Sequence, residues 1–176
     1  MKLNKLVKKG IATIEERKMI NKHRDNIEAA FNAFCKAYNL KGINLVLVGD
    51  VTWNLYLDRK DIEGHYRHSD KELVVKVNEK NMRDVYDTLF HELTHAYQFK
   101  YHMGLVKHGF LQQQAYKNSP AAYTYSVHEQ HARLCAIDIY KIYRQCKGDM
   151  NMFCRSLKAY RMEDAFYSIN TMEYAI

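Results

Sequence analysis

The chain carries the stretch Thr88-Leu89-Phe90-His91-Glu92-Leu93-Thr94-His95-Ala96-Tyr97-Gln98, which contains an H-E-x-x-H motif. Apolar residues recur at three- and four-residue steps across residues 82–101, which predicts an amphipathic helix there. Histidines four positions apart lie on one face of a helix, so His91 and His95 can bind the same Zn²⁺. Glu92 lies beside that face and can reach a water molecule on the ion without being a ligand. The motif therefore predicts a zinc site with Glu92 as the general base and acid.

The rest of the chain divides into helices and a few strands. Helical spacing covers residues 13–38 and 126–144, and residues 150–174 have the pattern of one final helix or two short ones. Strand patterns cover residues 43–48, 64–68 and 71–78, and residues 51–57 fit a further strand. Residues 102–125 look irregular, with room for a short helix at 110–116. This order predicts one α+β domain over residues 1–176, with helices packed on a small mixed sheet.

A catalytic zinc site needs three protein ligands and one open position, so a third ligand must come from elsewhere in the chain. The first candidate is Glu129, because Ala132 and Ala136 follow it at helical spacing and make a small face that can approach the first helix closely. The second candidate is His108, which is followed by Gly109. The sequence leaves both open, and we favour Glu129.

Two segments resemble a known family. Residues 88–98 resemble the active-site helix of the zincin metallopeptidases, and residues 127–136 resemble the second helix of the glutamate-type zincins, where a glutamate completes the metal site. The resemblance implies a zincin-like fold, a Zn²⁺ cofactor and hydrolysis of a peptide or protein substrate. It also implies that a strand precedes the active-site helix and receives the substrate at its edge, and that residues 71–78 form this strand.

The alternative third ligand carries a weaker resemblance. A histidine followed by glycine at this distance after H-E-x-x-H, as in His108-Gly109, is similar to the SprT-like metalloproteases, which associate with DNA. That family usually places an aromatic residue further on, whereas Phe110 follows here at once, and the chain lacks the zinc ribbon of many members.

Two further sets of residues are expected to support such a site. A donor for the oxyanion of the tetrahedral intermediate is expected among Tyr123, Tyr125, His128 and His131. A carboxylate is expected to hold the second ring nitrogen of each histidine ligand, and the candidates are Asp84, Asp87 and Asp138.

Composition limits the cellular setting and the partners. No apolar run is long enough for a membrane-spanning helix, and the basic N-terminus lacks the apolar centre of a signal peptide, so we expect a cytoplasmic protein without membrane contact. The four cysteines form no C-x-x-C pair and are expected to be free thiols. The net charge of +7 suggests an auxiliary nucleic-acid partner, although the basic residues are spread along the chain.

Two other classes of protein compete with the peptidase. A nucleic-acid-binding module would use the basic charge and the 14 tyrosines, but no helix shows a basic stripe interleaved with aromatic residues. A degenerate zincin with a purely structural role is disfavoured because His91, Glu92 and His95 are all present.

Overall fold

The computed structural model describes residues 13–56, 62–115 and 120–165. It has a three-stranded sheet of β1 (Asn44–Val48), β2 (Gly64–Arg67) and β3 (Glu72–Lys76), in the order β1-β3-β2. β3 is parallel to β1 and antiparallel to β2. β3 is therefore the central strand, and the expectation that this strand offers a free edge to a substrate is wrong. Among the described strands, β2 is the edge strand nearest the H-E-x-x-H helix.

The part of the chain that the structure describes also contains seven α-helices. They are α1 (Ile14–Ala37), α2 (Asp50–Tyr56), α3 (Met82–Tyr101), α4 (Met103–Ala115), α5 (Pro120–Tyr125), α6 (Val127–Gln145) and α7 (Met150–Ala159). Of these helices, α1 and α3 pack on the sheet. A short 3-10 turn, Glu79–Asn81, leads into α3. The architecture is mixed α+β and mainly helical, as the sequence predicts, and α3 has the bounds that its periodicity indicates.

The strand expected over residues 51–57 is instead helix α2, with Leu57 outside the described residues. The cause is a tertiary contact, because the buried carboxylate of Glu16 on α1 accepts hydrogen bonds from the backbone N–H groups of Val51 and Thr52. These N–H groups in the first turn have no partner within the helix, so the carboxylate satisfies them as a cap would. A distant residue thus overrides the local strand propensity of Val51 and Thr52.

The region expected to be irregular, residues 102–125, is largely helical. It forms α4 and α5, and residues 116–119 between them lie outside the described residues, as does the part of the predicted final helix beyond residue 165. Gly109 lies inside α4, where a glycine weakens a helix and usually predicts a break. Its role is steric, because a β-carbon at Gly109 would overlap the ring of His128 on α6.

Helix α3 lies between the sheet and α6, with apolar residues toward both. The core includes fully buried side chains from four elements: Phe34, Leu73, Phe90, Leu93 and Ile139. The small residues Ala132 and Ala136 are buried where α6 approaches α3. The first turn of α6 is therefore close to the second half of α3, which carries the H-E-x-x-H motif.

All four cysteines are free, and Cys135, Cys146 and Cys154 are buried. Within the described residues, no helix combines the length and apolar character that a bilayer crossing needs.

Candidate metal centre

Three potential metal ligands converge from two helices. His91 and His95 lie one turn apart on α3, and Glu129 lies in the first turn of α6. The Nε2 atoms of His91 and His95 are 3.0 Å apart. Glu129 Oε2 lies 3.2 Å from His91 Nε2, and Glu129 Oε1 lies 3.4 Å from His95 Nε2. The structure thus brings together His91, His95 and Glu129 as one group of possible ligands.

The spacing of these donor atoms fits a single zinc ion. Ligand atoms at about 2.05 Å from one zinc, at tetrahedral angles, are about 3.3 Å apart. The two imidazole nitrogens are 3.0 Å apart, and each has a different oxygen of Glu129 near it, at 3.2 Å from His91 and 3.4 Å from His95, so all three residues offer atoms at about this spacing. Glu129 Oε2 is also buried and makes no well-aligned hydrogen bond among the described residues. A buried carboxylate oxygen without a donor is costly unless a cation neutralises it, so the chemistry of the group suits a metal.

Electrostatics favour the ionised carboxylate. Burial raises the pKa of Glu129, but the adjacent His91 and His95 imidazoles outweigh burial and hold the pKa well below its usual value. Burial alone would lower the pKa of His95, but the hydrogen bond to Glu129 and the charge of Glu92 raise it to about 9. In the absence of a metal, a proton on His95 therefore neutralises the carboxylate, and a metal would replace that proton.

A buried hydrogen-bond chain fixes the tautomer of His95. The side-chain Nε2 of Gln98 lies 2.8 Å from the backbone oxygen of His128, which can only accept, so this end of the Gln98 amide is the donor. The amide oxygen of Gln98 then faces His95 Nδ1 at 2.9 Å. His95 must donate from Nδ1, which leaves Nε2 to face the other two possible ligands, His91 and Glu129. This is the outer contact that histidine ligands typically make.

The same chain continues to a second backbone carbonyl. Gln98 Nε2 also lies 2.9 Å from His131 Nδ1, and His131 Nε2 lies 2.9 Å from the carbonyl oxygen of Met162. His131 therefore donates from Nε2 and accepts at Nδ1. Burial lowers the pKa of His131 to about 4, in agreement with a neutral ring. The backbone oxygens of His128 and Met162 thus fix the orientation of the Gln98 amide and the tautomer of His131, and the Gln98 oxygen is left to accept from His95.

Glu92 lies beside the metal group without being one of its three members. Its side chain is buried, and its carboxylate accepts a hydrogen bond from the backbone N–H of Tyr66 on β2. Burial raises the pKa of Glu92, against the opposing effect of the nearby His95 and His91. A carboxyl with a raised pKa beside a candidate metal position is a suitable acceptor and donor of protons.

No family model, curated protein or solved structure matches the chain.

A cleft of about 390 Å³ opens onto the site between β2, α3 and α6, and His91, Glu92 and Glu129 line it. In an antiparallel pair, successive residues alternate between bonding the partner strand and pointing away from it. Lys76 donates its backbone N–H to the carbonyl of Glu63 at 2.9 Å, so the backbone N–H and C=O of Gly64 point away from β3. Gly64 lines the cleft, which gives the cleft one wall made by a strand edge.

Gly64 is required for the close contact between β2 and α3. A β-carbon at Gly64 would lie 2.5 Å from Thr88 Cγ2, 2.9 Å from the Val74 carbonyl oxygen and 3.3 Å from Glu92 Cγ. Atoms at such distances must shift, and the Val74 backbone cannot shift without disturbing the sheet. The glycine therefore sets the distance between the strand edge and the general-base candidate.

The structure does not bring His108 into the ligand group. Its side chain is exposed on α4, outside the cluster of His91, His95 and Glu129. Its neighbour Gly109 is buried instead and packs against the ring of His128, next to Glu129. The geometry thus favours Glu129 as the third ligand.

The four candidate oxyanion donors have different locations. Tyr123 is exposed and lines the cleft, whereas Tyr125 is exposed and does not line it. His128 is buried with its Nε2 3.6 Å from Glu129 Oε1, and burial lowers its pKa to about 4. His131 belongs to the hydrogen-bond chain with Gln98.

The expected carboxylate partners of the histidines have other contacts. Asp84 accepts a hydrogen bond from the Asn81 side chain, Asp87 faces Arg83 at 3.5 Å, and Asp138 pairs with Lys141 at 2.9 Å. An amide, Gln98, takes the place of the expected carboxylate at His95. The sequence carried a usable signal, since Gln98 continues the face of His91 and His95 one turn further along α3.

Proposed function

We propose that the protein is a zinc-dependent metallopeptidase with a zincin-like arrangement, in which His91, His95 and Glu129 hold the metal and Glu92 moves the proton. The observation that carries this proposal is the convergence of one ligand atom from each of three residues within 4.8 Å of one another. The buried carboxyl group of Glu92 lies beside them and lines the same cleft. Two imidazoles and one carboxylate leave a tetrahedral ion with one open position, which is the composition of a catalytic zinc site rather than a structural one.

Zinc at this position would lower the pKa of a water ligand toward 7 and polarise a peptide carbonyl. Glu92 accepts the proton of the attacking water and then donates it to the leaving amine. Its raised pKa suits both steps, because the carboxyl group must alternate between its charged and its neutral form. The Tyr66 N–H holds the carboxylate in the cleft while it does so.

The edge of β2 supports a peptide as the substrate. The N–H and C=O of Gly64 face the cleft and can pair with the main chain of an extended segment, a mode that gives affinity independent of sequence. Such pairing would place a peptide bond between the strand edge and the metal group. The close packing at Gly64 holds this strand edge against α3, beside Thr88 and Glu92.

The test compares purified wild-type protein, Glu92→Gln and the control Glu28→Gln on an unfolded protein substrate. Glu28 controls for the chemical change alone, because its carboxylate lies on the surface of α1, where it pairs with Arg24. Wild type and Glu28→Gln should hydrolyse the substrate in a chelator-sensitive way, while Glu92→Gln should bind equal zinc and lose activity about a thousandfold. Undiminished hydrolysis by Glu92→Gln would contradict the role of Glu92, and zinc-loaded wild type without hydrolysis would contradict the proposal.

A further inference from the structure

The cleft contains three charged side chains that the proposed chemistry does not use. Glu63 lies 3.2 Å from Lys76, and Asp87 lies 3.5 Å from Arg83, so each of these carboxylates already has a cation beside it. Arg133 has no carboxylate partner among the described residues, and its guanidinium donates a long hydrogen bond to the backbone oxygen of Thr124 at 3.5 Å. Within the described part of the chain, Arg133 is therefore a charged side chain of the cleft that has no ion-pair partner, and it is exposed.

The position of Arg133 relates this charge to the metal group. Arg133 follows Glu129 by four residues on α6, so both side chains lie on the same helical face, and both line the cleft. Helical side chains lean toward the N-terminus of their helix, which directs Arg133 back toward Glu129. The face continues with Ala136 and the exposed Ile137, which are apolar and cannot compete for the guanidinium.

The distance sets which part of a substrate can reach Arg133. One helical turn rises about 5.4 Å, and an extended peptide advances about 3.3 Å per residue. A group bound by Arg133 would therefore lie one or two residues from the bond cleaved at the metal. A guanidinium presents paired N–H donors that match a carboxylate, and such pairs are about twice as strong as neutral hydrogen bonds.

We propose that Arg133 is a specificity-determining residue that binds a carboxylate of the substrate, so that the protein prefers peptides carrying a carboxylate one or two residues from the scissile bond. This inference rests on the proposed function. An acidic side chain and a free C-terminus supply the same chemistry, and the substrate set separates these two sources.

The experiment measures kcat/KM of the zinc-loaded protein on matched peptides. One series places Glu or Gln at each of the two positions on either side of the scissile bond, and a second series compares a free C-terminus with an amide. The favoured carboxylate should raise kcat/KM about tenfold or more. A response in the first series assigns the carboxylate to a side chain, and a response in the second assigns it to the C-terminus.

Three variants connect the preference to Arg133. Arg133→Gln should bring the ratio between carboxylate and neutral peptides close to one, and Arg133→Glu should lower it below one, because the new carboxylate repels that of the substrate. Arg144→Glu, an exposed change at the far end of α6, should keep the wild-type ratio. Zinc content and circular dichroism confirm that each variant is folded and loaded.

The possible failures are distinct. Zinc-loaded wild type that cleaves carboxylate and neutral peptides equally would overturn the role of Arg133 and leave the proposed function in place. A carboxylate preference that Arg133→Gln retains would also overturn it. Zinc-loaded wild type that cleaves no peptide of either series would contradict the proposed function itself.

Discussion

Two buried glutamates on different helices, Glu16 and Glu129, have opposite surroundings. The carboxylate of Glu16 accepts four hydrogen bonds, from the backbone N–H groups of Thr13, Val51 and Thr52 and from the Thr52 hydroxyl, at 2.8 to 3.2 Å. The carboxylate of Glu129 faces the ring nitrogens of His91 and His95 instead, and its Oε2 has no hydrogen bond among the described residues.

The difference separates a structural carboxylate from one prepared for a ligand. At Glu16 the protein's own donors use both carboxylate oxygens, so the group connects α1 to α2 and has nothing left to bind. At Glu129 the neighbours are imidazoles that can exchange a proton for a metal ion. Removal of the first carboxylate should therefore cost folding stability, and removal of the second should cost metal binding.

The largest effect on folding is expected for Glu16→Ala. This change leaves four donors without an acceptor at the junction of α1 and α2, and the free energy of unfolding should fall by about 4 kcal/mol. Urea unfolding in the presence of a chelator measures this loss. The adjacent, exposed Glu15→Ala should cost less than about 1 kcal/mol. An equally small loss for Glu16→Ala would remove one side of the comparison.

The stabilisation of the fold by zinc should depend on Glu129 and not on Glu16. At a free zinc concentration about 100 times the dissociation constant, the metal should raise the free energy of unfolding of the wild type by about 2.7 kcal/mol. Glu129→Gln should lose most of this gain, because one of three ligands is missing. Glu16→Ala should show the same rise in the free energy of unfolding on zinc addition as the wild type, because its three ligands are intact. Equal responses to zinc in the two variants would contradict the assignment of Glu129.

The hydrogen-bond chain behind His95 should contribute a smaller effect. Gln98→Leu keeps the size of the side chain but leaves His95 Nδ1 without its acceptor, so zinc should dissociate about 10- to 100-fold more readily. Competition with a chromogenic chelator measures this change. Gln130→Leu on α6, where the amide donates to the Tyr125 carbonyl at 3.0 Å outside the ligand group, is the matched control and should bind zinc as wild type does. Wild-type affinity in Gln98→Leu would show that the chain does not orient the ligand.

The smallest effect is expected at the strand edge. Gly64→Ala forces β2 away from α3, and overpacking of this kind costs about 1 to 3 kcal/mol. Zinc affinity should stay within about threefold of wild type, while kcat/KM should fall about tenfold because the edge moves relative to Glu92. A β-carbon at Gly104 meets no atom within 4 Å, so Gly104→Ala is the control. Full activity in Gly64→Ala would argue against substrate pairing with β2.

The parts of this comparison that the sequence predicted depend on local spacing. The bounds of α3 and the shared face of His91 and His95 follow from residues within two turns of one another. Glu129 could be nominated because small residues follow it at helical spacing, but its distance from the histidines depends on how α6 packs against α3. Sequence reasoning alone therefore left His108 as an alternative.

The parts that it missed depend on contacts between distant residues. α2 is a helix because of a carboxylate 35 residues upstream, which no local pattern reveals. The central position of β3 depends on the pairing of strands, which its own residues do not encode. Residues 102–125 looked irregular, whereas Gly109 lies inside α4, where its lack of a side chain accommodates a ring from α6.

X-ray absorption at the zinc edge, on protein loaded with one equivalent of zinc, tests the central claim most directly. The account predicts nitrogen and oxygen ligands alone, at about 2.0 to 2.1 Å, with the scattering pattern of two imidazoles, and a spectrum that changes in Glu129→Gln. Sulfur scattering at about 2.3 Å, which would place the ion at one or more of the four free cysteines, would contradict it, as would a spectrum without imidazole.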